Sequence, residues 1–448
     1  MTTQNINLIE WETRKPSKGS PLAGPVLSGH PAAQRLAETL TRDGRIEILE
    51  LARGLELRAS SYVGRFALGE LLITIKPKIS GAPLMNLLRY AYRLRHLDLF
   101  DEVGYATSQA SFEDLLIHQL AAESSELLSR GLHRDYLRTN SMLASPCGRI
   151  DFGGYMQVAA NAGVALPCVH YPRSEDTSLN QVLHGGLELA ARMTLDRELG
   201  SRVRRLAKSF TGRITPKELN AAGFTEAWRS LDRRTSAYRP ALTLIQLLLN
   251  TQGAALTDAK SPIPAAGFLF DMNRFFQALL SRFLNENLVG YEVQDEQVLR
   301  GVFSYDPGNN PRSRRSPTLR PDFLVLRGHK VEAVLDAKYR DLWERNLPRE
   351  MLYQLALYAL GQESGNRRAT IIYPTLEDTA RQQVVFVTDP LRGTSKAEIV
   401  LRPVNLLKLD LLLRDKGVHA LRNRIEFATR LAFGGPSDGS INENALTP

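Results

Sequence analysis

The stretch Arg320-Pro-Asp-Phe-Leu-Val-Leu-Arg-Gly-His-Lys-Val-Glu-Ala-Val-Leu-Asp-Ala-Lys-Tyr339 reads as two strands joined by a tight turn at Arg327-Gly-His-Lys330. Apolar and β-branched residues fill both runs, and a glycine marks the turn. Asp336 and Lys338 lie two apart on the second strand, so their side chains leave one face, while Leu335 and Ala337 turn towards a packed layer on the other. Asp322 stands at the start of the first strand, where the hairpin brings it beside Asp336. The alternative is a surface Asp336–Lys338 pair on an edge strand, with Asp322 a turn residue. The flanking Val334, Leu335 and Ala337 argue against it, because unpaired charge on a buried strand is costly.

Two neighbouring carboxylates make a hard oxygen site, suited to Mg2+ rather than zinc. A metal there activates water and stabilises charge on a scissile phosphate. Lys338 adds a cation that orients or deprotonates the attacking water, or stabilises the pentavalent state. Downstream, Gln354 and Tyr358 are spaced i, i+4 on one helical face. Both are expected to hydrogen-bond phosphate or the active-site strand, although a tyrosine on an apolar helix is also a common core residue. An Asp-x-Lys triplet alone is unspecific. The ordered set Pro321-Asp322, Asp336-Ala-Lys338 and Gln354-x-x-x-Tyr358, in strand–strand–helix context, is specific.

Upstream of this set, Asp306-Pro-Gly-Asn-Asn-Pro-Arg-Ser-Arg-Arg-Ser-Pro317 reads as an exposed, turn-rich loop. Its Arg312, Arg314 and Arg315, together with Arg320, are candidate contacts to DNA phosphates, with solvated loop arginines as the plain alternative. A helix is expected over Phe268–Leu288, then strands at Val293 and Leu299–Ser304. After the hairpin come a helix at Pro348–Leu360 and strands at Ala369–Tyr373 and Gln383–Val387, an order that predicts a mixed sheet flanked by helices. The middle, from Ser111 to about Ala255, reads mainly helical: Phe112, Leu115, Leu116 and Leu120 recur at helical spacing, with Ser111 and Asp114 as a capping pair. Further helices are expected at Asn180–Leu195 and Pro240–Leu249, and an extended segment at Pro167-Cys-Val-His-Tyr-Pro172. The N-terminal part reads as antiparallel strands of one small sheet or barrel at Arg45–Leu51, Gly54–Ala59, Tyr62–Leu68 and Leu71–Ile79, with a helix from Pro83 to Tyr92. The fold class is therefore multidomain α+β: a β-rich domain over 1–110, a mainly helical domain over 111–260, a mixed α/β domain over 261–434, and a disordered tail over 435–448.

These residues, with several upstream, resemble the McrC family, the nuclease subunits of McrBC-type 5-methylcytosine-dependent restriction systems. The resemblance rests on Tyr62-Val-Gly, Leu72-Ile-Thr-Ile-Lys-Pro-Lys-Ile, Leu87-Leu-Arg-Tyr-Ala, Arg130-Gly-Leu-His-Arg-Asp-Tyr, Gly148-Arg-Ile-Asp, Asp176-Thr-Ser-Leu-Asn, Phe270-Asp-Met-Asn-Arg-Phe-Phe and the acidic hairpin itself. It implies a PD-(D/E)XK nuclease fold in the C-terminal part, with Asp322 and Asp336 holding Mg2+ and Lys338 assisting the reaction. It also implies a partner, an AAA+ GTPase of the McrB type, which recognises modified DNA, binds the N-terminal part of the chain, and has its hydrolysis stimulated. No GxxxxGK[ST] loop occurs in this sequence, consistent with the motor being a separate protein. One position departs from the family: where many relatives carry Glu on the helix before the nuclease strands, this chain has Gln277. Glu286 and Glu292 are the nearby carboxylates that would stand in for it.

Bulk properties agree with this reading. A length of 448 residues calls for two or three domains, and 43% hydrophobic against 23% charged residues is enough to bury a core. A net charge of +9 and a pI near 9.5 favour a polyanionic partner such as double-stranded DNA. Cys147 and Cys168 form no CxxC pair and are expected to be buried thiols. No leader-like stretch and no apolar run long enough to span a membrane is visible, so a cytoplasmic protein is expected. Arg202, Arg204, Arg205 and Lys208 are read as a solvated helix face. Two other functions compete with the nuclease subunit: an adaptor of an AAA+ ring with a degenerate nuclease site, which Gln277 favours, and a stand-alone repair nuclease.

Overall fold

The computed structural model describes residues 4–28, 30–95, 111–153, 165–252, 267–362 and 367–435. The chain opens with β1 (Gln4–Ile9), β2 (Thr13–Arg14), α1 (Pro31–Arg42), β3 (Ile46–Leu51), β4 (Gly54–Ala59), β5 (Tyr62–Leu68), β6 (Leu71–Lys76) and α2 (Gly81–Tyr92). The four expected strands are present, but they do not make one sheet. β4 pairs with β3 on one side and β2 on the other, whereas β5 and β6 belong to a second sheet ordered β1-β6-β5 and extended by a later strand. β1 runs parallel to β6, with Ile6 opposite Ile73. The split has a simple cause: the inward residues of β6, Leu71, Ile73 and Ile75, and those of β3 and β4 face one shared core between the sheets.

The middle contains α3 (Phe112–Arg130), β7 (Asp135–Tyr136), β8 (Thr139–Leu143), β9 (Arg149–Ile150), β10 (Leu166–His170), β11 (Arg173–Ser174), α4 (Ser178–Met193), α5 (Arg197–Lys208), α6 (Ala221–Arg229) and α7 (Arg239–Gln252). Ser111 caps α3: its hydroxyl accepts from Asp114 N and donates to Asp114 Oδ2 at 2.6 Å. Helices predominate in this region, with the small sheets β8-β10-β9 and β7-β11 set between them, and β10 falls on the segment expected to be extended. The two motifs around His133 and Asn180 are structural staples here. Asn180 Nδ2 donates to His133 O (2.9 Å) and Glu175 O (2.7 Å), and Tyr238 Oη donates to Asn180 Oδ1 (2.6 Å). Cys168 is buried, but Cys147 is exposed, contrary to expectation, and both are free thiols. The expected domain boundary at 260/261 and the tail from 436 onward lie outside the described residues.

The C-terminal part contains β12 (Phe268–Asp271), α8 (Met272–Asn287), β13 (Glu292–Asp295), β14 (Phe323–Arg327), β15 (Lys330–Ala337), α9 (Arg349–Leu360), β16 (Arg368–Thr375), β17 (Gln383–Thr388), β18 (Ser395–Asn405), α10 (Leu406–Arg414) and α11 (Ala420–Phe433). The helix expected from Phe268 starts four residues later. Phe268, Leu269 and Phe270 instead form the strand that completes the N-terminal sheet against β5, and Asp271 caps α8 by accepting from Asn273 N at 2.9 Å. Leu299–Ser304 is not a strand: Leu299 makes one isolated bridge to Leu319, and Gly301 at φ 83° breaks the extended run. β18, α10 and α11 lay beyond what the sequence reading resolved.

These strands form a six-stranded sheet in the order β13-β14-β15-β16-β18-β17, with β15, β16 and β18 mutually parallel and the other pairs antiparallel. One face, including Leu335, Ala337 and Tyr339, packs with α8 and α11. The other, including Leu324, Val334, Ile371 and Tyr373, packs with α9. α8 is the main wedge: Phe275, Phe276, Leu279, Leu280, Phe283 and Leu284 are fully buried, each contributing about 1.5–3 kcal/mol relative to exposure. No described helix is long and apolar enough to cross a membrane.

Candidate active site

The turn at Gly328 (φ 63°) closes β14 and β15 into a hairpin with Phe323 opposite Leu335. That register places Asp322, just ahead of β14, next to Asp336 near the end of β15. The strand backbone fixes Asp322 there: Ala337 N donates to Asp322 Oδ2 at 2.7 Å. Lys338 follows at the C-terminal end of the parallel run, its backbone N donating to Ile372 O on β16 (3.0 Å). Open α/β sheets bind ligands at this end of their strands.

Burial pushes the Asp336 carboxyl up to about 7, and the neighbouring Asp322 charge adds to the effect while Lys338 opposes it. Asp322 is also raised, first by burial; the Ala337 N–H and Lys338 oppose the rise, and Glu296 and Asp295 reinforce it. The pair thus holds two carboxyls in a dry place with charge repulsion between them, an arrangement that a divalent cation relieves. Among the described residues, no group of three or more His, Cys, Asp or Glu is placed to hold a metal. Two carboxylates are nevertheless a common protein share for Mg2+, which keeps several waters, so the donor set fits that ion.

Gln277 on α8 reaches this centre. Its Nε2 donates to Asp322 Oδ1 at 2.9 Å and stands 3.5 Å from Glu296 Oε1. The two carboxylates weighed as substitutes are engaged elsewhere: Glu286 accepts from Tyr90 Oη and Arg282 Nε (both 2.7 Å), and Glu292 accepts from Gln294 Nε2 (2.7 Å). The acid that does come near is Glu296, which the sequence reading missed. It follows β13 in the left-handed region (φ 50°), and its backbone N donates to Asp322 O at 2.8 Å. Only an acidic residue in an otherwise ordinary turn marked it in the sequence.

Tyr358 is buried, and its hydroxyl is fully used, donating to Arg320 O (3.0 Å) and accepting from Gln354 Nε2 (2.6 Å). Both side chains therefore support the backbone that delivers Asp322. Arg320 folds back on Glu296, with Nε donating to Glu296 O at 2.9 Å and its guanidinium on the carboxylate. Arg312, Arg314 and Arg315 are exposed on the loop before β14.

A family profile described as McrBC 5-methylcytosine restriction system component matches residues 57–374, most of the chain and all of the hairpin. The chain belongs to the McrBC family. In overall fold it is similar to a chain of the Thermococcus gammatolerans assembly of McrB AAA+ hexamers with bound McrC, at 20% identity and a TM-score of 0.62, over 94% of this chain and 99% of that one. A second structure, the Thermococcus gammatolerans McrBC complex, aligns over 64% of this chain and 89% of its own, at 19% identity and a TM-score of 0.48. No curated protein matches. McrBC membership agrees with the resemblance drawn from the motifs.

Proposed function

We propose that this McrBC-family chain is the Mg2+-dependent DNA endonuclease subunit of a modification-dependent restriction system, with a PD-(D/E)XK site. The observation that carries the reading is the Asp322 carboxylate locked on Ala337 N, between the buried Asp336 and Lys338. Asp322 and Asp336 would hold Mg2+, whose charge polarises a phosphodiester and acidifies water. Lys338 offers Nζ protons to the phosphate or the attacking water. Gln277 fixes the rotamer of Asp322, and Tyr358 with Gln354 fixes the chain entering it. The structure related in fold contains McrB AAA+ hexamers, and on that basis the partner proposed here is an AAA+ GTPase of the McrB type, which this chain binds and stimulates.

The test is to incubate the protein with Mg2+ and methylated or unmethylated plasmid, with and without its AAA+ partner and GTP, beside Lys338→Ala. Cleavage that requires the partner, GTP and Lys338 supports the proposal. Partner-independent cleavage assigns a stand-alone nuclease. GTPase stimulation without cleavage under any condition leaves an adaptor, the reading that Gln277 favours.

A further inference from the structure

Beside the carboxylate site, and sharing Gln277 and Glu296 with it, is a groove of about 880 Å3 floored by the solvent face of α8. The floor residues Arg274, Gln277, Ser281 and Asn285 recur at helical spacing, opposite the buried Phe275, Phe276, Leu279 and Phe283. From Arg274 to Asn285 this face runs about 16 Å, the rise of roughly five base pairs along one DNA strand. One rim carries Arg93 and Arg239. Arg93 is held at the C-terminus of α2 in the left-handed region (φ 55°), and Arg239 lies over the Trp228 ring at 5.8 Å. The other rim is Arg320 with Asp295 and Glu296.

Charge in the groove is unevenly committed. Arg282 is drawn to Glu286 and the Tyr90 ring, and Arg320 to Glu296. Arg93 and Arg239 are exposed, and Arg274 is 77% exposed with only a loose 3.8 Å contact to Asp271. Three arginines thus face solvent in a groove that also holds Gln277, one hydrogen bond from Asp322. Backbone contacts of this kind position a duplex without reading its sequence.

We propose that this groove carries the phosphate backbone of one strand of a DNA duplex to the carboxylate site. The inference rests on the nuclease reading and adds the substrate track, which differs from the Arg312–Arg315 loop that the sequence alone singled out. An acidic protein segment is the competing occupant. A path leading to a phosphoryl-transfer site, beside a Trp–Arg stack, favours nucleic acid.

The experiment measures binding of a short labelled duplex to full-length protein over a series of salt concentrations, in the Lys338→Ala background so that cleavage does not intervene. The triple variant Arg93→Ala/Arg239→Ala/Arg274→Ala is expected to weaken binding roughly tenfold or more and to lower the salt slope by about 2–3. The triple variant Arg312→Ala/Arg314→Ala/Arg315→Ala is expected to change both less. Thermal melting checks that each variant is folded, and Arg239→Lys, which keeps the charge, should bind close to the parent if Arg239→Ala does not. Unchanged affinity and slope in the folded groove variant overturn the proposal. Lost partner association with intact DNA binding also overturns it and assigns the groove to an acidic protein segment. Groove-dependent binding by a chain that never cleaves keeps the track and discards the nuclease.

Discussion

Tyr339, the residue after Lys338, donates its hydroxyl to Glu10 Oε1 at 3.0 Å, tying the end of β15 to the residue after the first strand of the chain. The same oxygen accepts from Lys78 N at 2.8 Å, while Glu10 Oε2 is buried without a hydrogen-bond partner among the described residues. Burial pushes Glu10 up to about 7, against the opposing bonds from Lys78 and Tyr339. A carboxyl raised in the folded state costs nothing below its unfolded value of 4.5, costs progressively more as pH rises, and costs the full amount above about 7. Stability from this site therefore falls across that window. Glu10→Gln keeps the accepting oxygen and removes the charge, so it should flatten the fall and add on the order of 2–3 kcal/mol above about pH 7. Denaturant unfolding across pH measures this, and parallel curves for the two proteins would refute it.

Asp336 should couple metal affinity to pH. Its carboxyl is protonated below about 7 and must ionise to bind a cation. Mg2+ affinity is expected to rise roughly tenfold per pH unit up to that value and then level, with proton uptake by buffer seen calorimetrically. Asp336→Asn should bind Mg2+ weakly at every pH and cleave nothing. Strong, pH-independent Mg2+ binding by the wild type would count against this pair as the metal site.

Gln277→Glu tests the departure from the family. A further negative charge where Gln277 Nε2 now stands 2.9 Å from Asp322 should lower the melting temperature without metal and raise Mg2+ affinity with it. Differential scanning fluorimetry with and without Mg2+ reads both effects. A variant equally stable with and without metal would show that Gln277 lies outside the metal's reach.

Tyr358→Phe removes one hydroxyl and leaves Arg320 O without its donor. The expected loss is about 1–2 kcal/mol of stability, with cleavage slowed but not abolished and Mg2+ affinity little changed. Chemical denaturation and single-turnover cleavage separate these quantities. Complete loss of cleavage at unchanged stability would make Tyr358 a catalytic group rather than a positioning one.

Gly64 lies where the N-terminal sheet takes in β12. At φ 134°, a Cβ there would stand 2.1 Å from Phe268 O on β12, so Gly64→Ala must push the β5–β12 pairing apart. The cost is expected to be about 1–3 kcal/mol, and proteolysis should become faster near Phe268. A melting temperature unchanged from wild type would contradict the pairing.

Periodicity along the chain was enough to place the hairpin of β14 and β15, the N-cap of α3 and the strands β3 to β6, because each depends on residues a few positions apart. It was not enough for the start of α8. Phe268-Leu-Phe reads equally as a buried helix turn or a buried strand, and only pairing with β5, some two hundred positions earlier, decides between them. For the same reason the N-terminal strands looked like one sheet: alternation says which side is buried, not which core buries it.

The sequence alone determined a hairpin with Asp322 at the start of one strand and Asp336 near the end of the other, because two-residue alternation and a tight turn are local features. The tertiary structure decided what surrounds them. It set Gln277 and Glu296 beside Asp322, decided between phosphate and backbone for Tyr358 by seating its hydroxyl on Arg320 O, and lined the solvent face of α8 with arginines contributed by α2 and α7. Those relationships join residues far apart in the chain, and their geometry follows from how the helices pack on the sheet, which no local pattern encodes.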